Sequence, residues 1–298
     1  MPRPPIVDAH IHLWDLNRLR YDWLTPPFSD DGPNGNVEAI AHTYLLDDYL
    51  ADAAGWTIAG AVHVDAGAEA SQALDETIFV QAIADSAPFP LVHVAYARLD
   101  DPDVERLLAA HAKHPCVRGI RQILNWHRDP AKTYTASDFL GTDDFEKGFA
   151  LLARYGLSFD LQIYPGQMKK AAALAARHPQ TRLILDHAGM ATDRDAAGLQ
   201  RWRDGMRALA ANSNVSVKLS GFGIVEPSWT VDSIRPFIRE TIDLFGPSRC
   251  MFASDVPTDK LHAGFDRILD AYVECVQEFS ADDRATLFER TARAIYRL

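Results

Sequence analysis

Short runs of β-branched and apolar residues recur along the chain, and each is followed by a stretch whose apolar positions repeat at helical spacing. The runs Ile6–His12, Thr57–Asp65, Pro90–Arg98, Val117–Leu124, Leu157–Tyr164, Arg182–His187, Val215–Ser220 and Met251–Asp255 read as strands. Thr43–Ala54, Ala70–Ser86, Pro102–His114, Asp144–Tyr155, Gln167–Arg177, Ala197–Asn212, Val231–Phe245 and Leu261–Phe279 read as helices, with a last one over Asp282–Arg297. Strand followed by helix, repeated about eight times, is the signature of parallel strands with crossover helices, and eight such strands close a barrel. The fold class predicted is α/β, a (β/α)8 TIM barrel.

Local punctuation supports that reading. Asp101-Pro102 offers a capping side chain before a proline at a first helical position, and Ser280 offers a capping oxygen to the last helix. Gly156 and Gly246 stand where helices should end and the chain must turn back. Leu13–Asn36, with Pro26, Pro27, Gly32, Pro33 and Gly35, has no periodicity and reads as a long loop after strand 1. Asn125–Thr142 reads as a second, after strand 4. Both are expected over the C-terminal mouth, where barrels of this kind build their active sites. No repeat, low-complexity tract or linker interrupts the pattern, so residues 1–298 are expected to form a single domain.

Composition narrows the function. Hydrophobic residues make up 47% and charged residues 24%, as in ordinary soluble globular proteins. The net charge of −11, without any block of Lys and Arg, argues against a nucleic-acid partner. No apolar run approaches the roughly 18 residues that cross a bilayer, and Met1-Pro2-Arg3-Pro4-Pro5 lacks a signal-peptide core. A cytoplasmic protein acting on a small molecule, with no membrane partner, is expected; homo-oligomerisation stays open. Cys116, Cys250 and Cys275 have no metal-type spacing and are expected as free thiols, two of them at the wrong end of the barrel for catalysis. Serine-hydrolase elbows, phosphate loops and dinucleotide fingerprints are missing from the sequence.

Candidate chemistry gathers at strand ends. His10 and His12, two residues apart, are expected to emerge on one face at the mouth, with Asp8 one step deeper. Two imidazoles on one rigid strand can hold a divalent ion or a substrate carbonyl. Asp255 ends strand 8, which neighbours strand 1 in a barrel, and can ligate metal or activate water. His187 ends strand 6 before Ala188-Gly189 and is either functional or a tie between loop and strand. On strand 5, Asp160, Gln162 and Tyr164 share a face: Gln162 is a candidate hydrogen-bonder to substrate and Asp160 a candidate buried acid. Lys218 is either the partner of Asp160 or a substrate contact. Arg118 and Arg121 lie on opposite faces of strand 4, so at most one points inward to clamp a carboxylate or carbonyl. His63 and Asp65 share a face of strand 2, with structural and functional readings equally open. Trp14, Trp23 and Trp126 are candidates to wall the pocket, or simply pack the loops.

Taken together, Val7-Asp8-Ala9-His10-Ile11-His12-Leu13-Trp14-Asp15, Tyr21-Asp22-Trp23-Leu24, Val117-Arg118-Gly119-Ile120-Arg121-Gln122, Leu185-Asp186-His187-Ala188-Gly189, Lys218-Leu219-Ser220-Gly221 and Ala253-Ser254-Asp255-Val256-Pro257 give the chain a family likeness. It resembles the amidohydrolase-2 group of the amidohydrolase superfamily, in particular its sugar-lactonase-like branch. The resemblance implies a TIM barrel that opens a cyclic ester, of a sugar acid or a muconolactone-type acid. It matches His10 and His12 to the strand-1 pair, His187 to the strand-6 histidine and Asp255 to the general base. Gln162 stands where metal-dependent relatives carry a strand-5 histidine, and the metal-bridging lysine of strand 4 has no counterpart. A dinuclear centre is therefore not expected; His10, His12 and Asp255 hold either one divalent metal such as zinc or none. The alternatives are a metal-dependent decarboxylase of the same family, disfavoured by Gln162, and a non-catalytic ligand-binding barrel, disfavoured by Asp255.

Overall fold

The protein, described here over residues 3–298 from a computed structural model, forms one eight-stranded sheet in which sequence order and spatial order coincide. The strands are β1 (Ile6–Ile11), β2 (Ile58–Val64), β3 (Leu91–Tyr96), β4 (Val117–Ile123), β5 (Ser158–Gln162), β6 (Leu183–Leu185), β7 (Val215–Leu219) and β8 (Cys250–Phe252). Every neighbouring pair is parallel. The sheet closes where β1 meets the segment after β8: Ile11 bridges Val256, His12 N–H donates to the Val256 carbonyl at 2.8 Å, and Asp255 N–H donates to the His10 carbonyl at 2.9 Å. The predicted (β/α)8 barrel is what forms.

The crossovers run through α1 (Leu46–Asp52), α2 (Ala73–Ala84), α3 (Val104–His111), α4 (Asp143–Leu151), α5 (Met168–Arg177) and α6 (Ala196–Ala210). After β7 come a single turn α7 (Phe222–Val225) and the long α8 (Val231–Phe245), and after β8 comes α9 (Phe265–Cys275). Amphipathic strands dictate this layering. Phe159, Leu161 and Ile163 alternate with Asp160 and Gln162 along β5; the apolar set packs outward under the helices and the polar set faces inward. The barrel interior holds Val7, Val62, Val92, Val94, Ile184 and Met251.

The C-terminal segment, α10 (Ala281–Ala285), a π-helical turn at Thr286–Arg290 and α11 (Thr291–Tyr296), stoppers the end of the barrel opposite the mouth. Arg182, at the start of β6, donates to the carbonyls of Ala294 and Ile295, and the Tyr296 hydroxyl reaches inside to Asp160 at 2.7 Å. Ser280 caps this segment through the Asp283 N–H at 3.0 Å, as its sequence predicts. Gly156 turns left-handed at φ 64° before β5. The expected cap at Asp101 is displaced: its side chain accepts from Asp103 N–H at 2.8 Å, which closes a turn ahead of α3, and the helix begins at Val104 rather than Pro102. Among the described residues no helix is long and apolar enough to cross a membrane.

Candidate active site

A cavity of about 220 Å³ opens at the C-terminal mouth, with His12, Arg121, Gln162, His187 and Asp255 in its walls. The two long loops roof it: Tyr134, after β4, donates its hydroxyl to Asn34, after β1, at 2.6 Å, and both line the cavity. Neither residue carries a periodicity signal, so sequence reasoning missed them.

His10 enters the barrel because of a β-bulge. Asp8 stands opposite Ala61 and Ile11 opposite His63, so β1 carries one residue more than β2 between these pairs. The extra residue flips the parity between Asp8 and the histidines: His10 and His12 emerge together as expected, but Asp8 does not share their face. Asp8 instead accepts from Ser254 N–H at 2.8 Å and the Tyr49 hydroxyl at 3.1 Å, tying β1 to β8 and α1. Burial pushes its carboxyl up to about 6.

His10 and His12 meet Asp255 in a tight triangle. Their Nε2 atoms are 3.2 Å apart and lie 3.5 and 3.4 Å from Asp255 Oδ1. His187 closes a second triangle on the same edge, its ligand atom within 4.8 Å of those of His10 and Asp255. The backbone is strained at this point: Asp255 has φ 59°, and His187, Ala188 and Met190 have φ 54°, 49° and 45°, conformations that cost a non-glycine residue roughly 1–2 kcal/mol each. Gly221, at φ 65°, lets its backbone lie against the His187 ring, leaving no room for a side chain. Ser220 Oγ contacts His187 Nδ1 at 3.0 Å, so Nε2 is left for the cavity.

Burial keeps the imidazoles neutral. It lowers His12 to about 3, with the Arg121 cation adding to the effect. His10 is lowered well below its ordinary value by burial and by Lys218. His187 is lowered by burial, against the pull of Asp255 and Asp186. Burial also raises the Asp255 carboxyl, opposed by His187 and Arg121; a raised carboxylate is the stronger base.

Of the two strand-4 arginines, Arg121 points inward. It donates Nε to Asp65 Oδ1 at 2.6 Å, Nη2 to the Asp65 carbonyl and Nη1 to Gln162 Oε1 at 3.2 Å. Because arginine only donates, Gln162 must turn its oxygen to Arg121 and its amide NH2 toward the cavity. Asp65 is thereby the residue that holds Arg121. Its strand-mate His63 faces the helices, bonded to the Leu13 carbonyl at 3.1 Å and to His93 Nδ1 at 3.1 Å. Arg118 does not join the site: its guanidinium folds back onto the carbonyls of Pro115 and Val117 at the far end of β4.

The tryptophans divide. Trp23 lines the cavity, held by an indole hydrogen bond to the Ala66 carbonyl at 2.8 Å. Trp14 is buried behind His12, with ring centroids 6.5 Å apart, and is not itself a wall. Trp126, 39% exposed, lines a neighbouring cleft of about 400 Å³ together with Tyr164, whose hydroxyl donates to the Lys132 carbonyl at 2.6 Å. Tyr164 leaves the shared face because β5 ends at Gln162.

Beneath the triangle lies a charged network. Lys218 is wholly buried, with Nζ 2.5 Å from Asp160, 3.1 Å from Asp186 and 3.3 Å from His10 Nδ1. It is thus the buried partner expected for Asp160 and lies below the cavity. Asp186 belongs to the network too; the sequence carried it only as the neighbour of His187 in the Leu185–Gly189 motif, with parity, two residues beyond the inward Ile184, as a further signal.

The donor set fits one divalent cation. His12 Nδ1 donates to the Val64 carbonyl at 2.8 Å, which leaves Nε2 a free lone pair. Asp255 Oδ2 is buried without a hydrogen-bond partner among the described residues. Donor separations of 3.2 to 3.5 Å match the edges of a polyhedron with bonds of roughly 2.0–2.2 Å.

Fold and site together define a (β/α)8 barrel enzyme with a histidine–carboxylate centre at its C-terminal mouth. Residues 7–298 match the amidohydrolase family, and the chain belongs to it. An uncharacterized protein of Sinorhizobium fredii is 41% identical over 98% of both chains. An L-fucono-1,5-lactonase of Burkholderia multivorans is 30% identical over 98% of this chain and 96% of its own. Among solved structures, an amidohydrolase from Burkholderia multivorans with bound zinc superposes with a TM-score of 0.81 at 27% identity, covering 99% of this chain and 100% of that one.

Proposed function

We propose that the protein is a lactonase, opening the cyclic ester of a sugar acid or a muconolactone-type acid. The observation that carries this reading is Asp255 Oδ1 beside His10 and His12, at 3.5 and 3.4 Å, in a cavity of single-ring size. The L-fucono-1,5-lactonase likeness, across nearly the whole chain, supports the same chemistry.

In this mechanism Asp255 accepts a proton from water as the hydroxide oxygen bonds to the lactone carbonyl carbon. The oxyanion that forms accepts hydrogen bonds from His187 Nε2–H, with the Ser220 hydroxyl donating to Nδ1 of that ring, and from the Gln162 amide. The ring C–O bond then breaks, the departing oxygen takes the proton back from Asp255, and a hydroxy acid leaves. Arg121 keeps Gln162 oriented, and Trp23 with the Asn34–Tyr134 roof limits water. His10, His12 and Asp255, with His187 adjoining, are the residues that would hold a zinc-like ion; when bound, it supplies Lewis-acid polarisation and lowers the pKa of water.

The test is acid release from L-fucono-1,5-lactone and a panel of sugar-acid and muconate-type lactones, using protein of measured metal content. Turnover of at least one lactone is expected, with a loss of about 10²- to 10⁴-fold in Asp255→Asn. No turnover on the panel, or full activity in the variant, overturns the proposal.

A further inference from the structure

Asp186 is a charged group of the network without a hydrogen bond. Neither buried oxygen accepts one among the described residues; Lys218 Nζ, 3.1 Å from Oδ1, lies off the hydrogen-bond direction. A buried carboxylate left in this way costs more than an uncharged polar group in the same place, because its charge is desolvated as well. A second donor beside it is His10, whose Nδ1 is 3.6 Å from Asp186 Oδ1.

Which ring nitrogen of His10 carries the proton decides between two arrangements. Two donor-only groups face His10, Lys218 Nζ at 3.3 Å from Nδ1 and Arg121 Nη1 at 3.5 Å from Nε2; the shorter contact leaves the lone pair on Nδ1, so the His10 proton then sits on Nε2, near the His12 Nε2 lone pair 3.2 Å away. This arrangement gives both His10 nitrogens a partner without an ion but leaves Asp186 without a hydrogen bond. A cation between the two Nε2 atoms needs the other tautomer, with the His10 proton on Nδ1. Asp186 Oδ1, 3.6 Å from Nδ1, is the acceptor beside it. His10 is neutral in both states, so no proton is gained or lost. Metal-binding histidines generally donate their second nitrogen to a carboxylate or carbonyl in this way.

We propose that Asp186 is the positioning residue for a divalent cation: it accepts the Nδ1 proton of His10 and so presents Nε2 as a ligand, while Lys218 supports the ion-free tautomer. The inference rests on the metal-holding part of the proposed function and is independent of which ester is hydrolysed.

Two measurements on the full-length protein test it, neither using lactone turnover. Histidine-labelled protein is followed by long-range ¹H–¹⁵N correlation as zinc is added; the His10 proton is expected to pass from Nε2 to Nδ1. Zinc affinity, by competition with a chromophoric chelator, is expected to fall about 10- to 100-fold in Asp186→Asn and to stay within twofold in Asp193→Asn, on the neighbouring cleft. Failure of the wild type to bind zinc, an unshifted His10 tautomer in the zinc-loaded protein, or wild-type affinity in Asp186→Asn each overturns the proposal. Should Asp186→Asn not fold, the wild-type spectra decide. A protein that passes both tests but hydrolyses no lactone refutes the lactonase reading alone.

Discussion

Glu76 gives a stability prediction whose sign is the reverse of the usual carboxylate case. This α2 residue is wholly buried; its Oε1 accepts from Ala66 N–H at 3.0 Å and from the Tyr21 hydroxyl at 3.4 Å, while Oε2 has no partner among the described residues. Burial, reinforced by Asp65, pushes its carboxyl from 4.5 up to about 8. Below pH 4.5 both folded and unfolded chains carry the proton, and Glu76 then has its full stability. As pH rises from there toward 8, the unfolded state releases the proton while the folded state keeps it, so stability falls by up to ~1.4 kcal/mol per pH unit. At pH 7 the loss amounts to about 3 kcal/mol. Glu76→Gln keeps the Oε1 acceptor and does not titrate; its buried NH2 replaces a protonated oxygen that also lacks a partner. Urea unfolding of both proteins should therefore give a Gln advantage of less than ~1 kcal/mol at pH 5 that grows to about 3 kcal/mol at pH 7. Parallel stability curves across this range, or a less stable Gln variant at pH 8, would refute the reasoning.

Three further outcomes follow from the geometry. Gly221→Ala forces a methyl onto the His187 ring at a left-handed φ of 65°, so steady-state kinetics should show at least a tenfold fall in kcat, with a lower Tm; an unchanged kcat contradicts the packing. Lys218→Met leaves Asp160 and Asp186 buried without their cation and should cost about 3–5 kcal/mol at neutral pH, shrinking in acid as both carboxyls protonate; urea titrations at pH 5 and 8 check the trend. Arg118→Ala should keep kcat/KM within about twofold, whereas Arg121→Ala, which releases Gln162 and strands Asp65, should lower kcat/KM and stability together; equal effects would contradict the inward orientation of Arg121.

Much of the barrel was legible because a parallel sheet between helices imposes its own periods on the chain. The β5 alternation placed Asp160 and Gln162 inside from sequence alone, and strand ends supplied His10, His12, His187 and Asp255. Parity failed at Asp8, since a bulge depends on how β1 pairs with β2 and leaves no residue-type signature. It was incomplete at Arg118 and Arg121: alternation says that the two oppose each other, but only sheet closure decides which side is inside. The loops were the least legible. Trp126 and Tyr164 line a separate cleft and Asn34 meets Tyr134 over the mouth because of long-range contacts between segments without any period.

The sequence by itself determined the repeating strand–helix order, the closure number and the residue types gathered at one end, since each follows from local periodicity and the direction of a parallel strand. Tertiary structure alone decided that Lys218 lies between Asp160 and Asp186, that Asp186 stands beside His10 without a hydrogen bond, and that Arg121 fixes the polarity of Gln162. The physical reason is that a buried charge takes its partners through space, from strands far apart in the chain, and low-dielectric surroundings make that choice of partner, rather than residue type, set its chemistry.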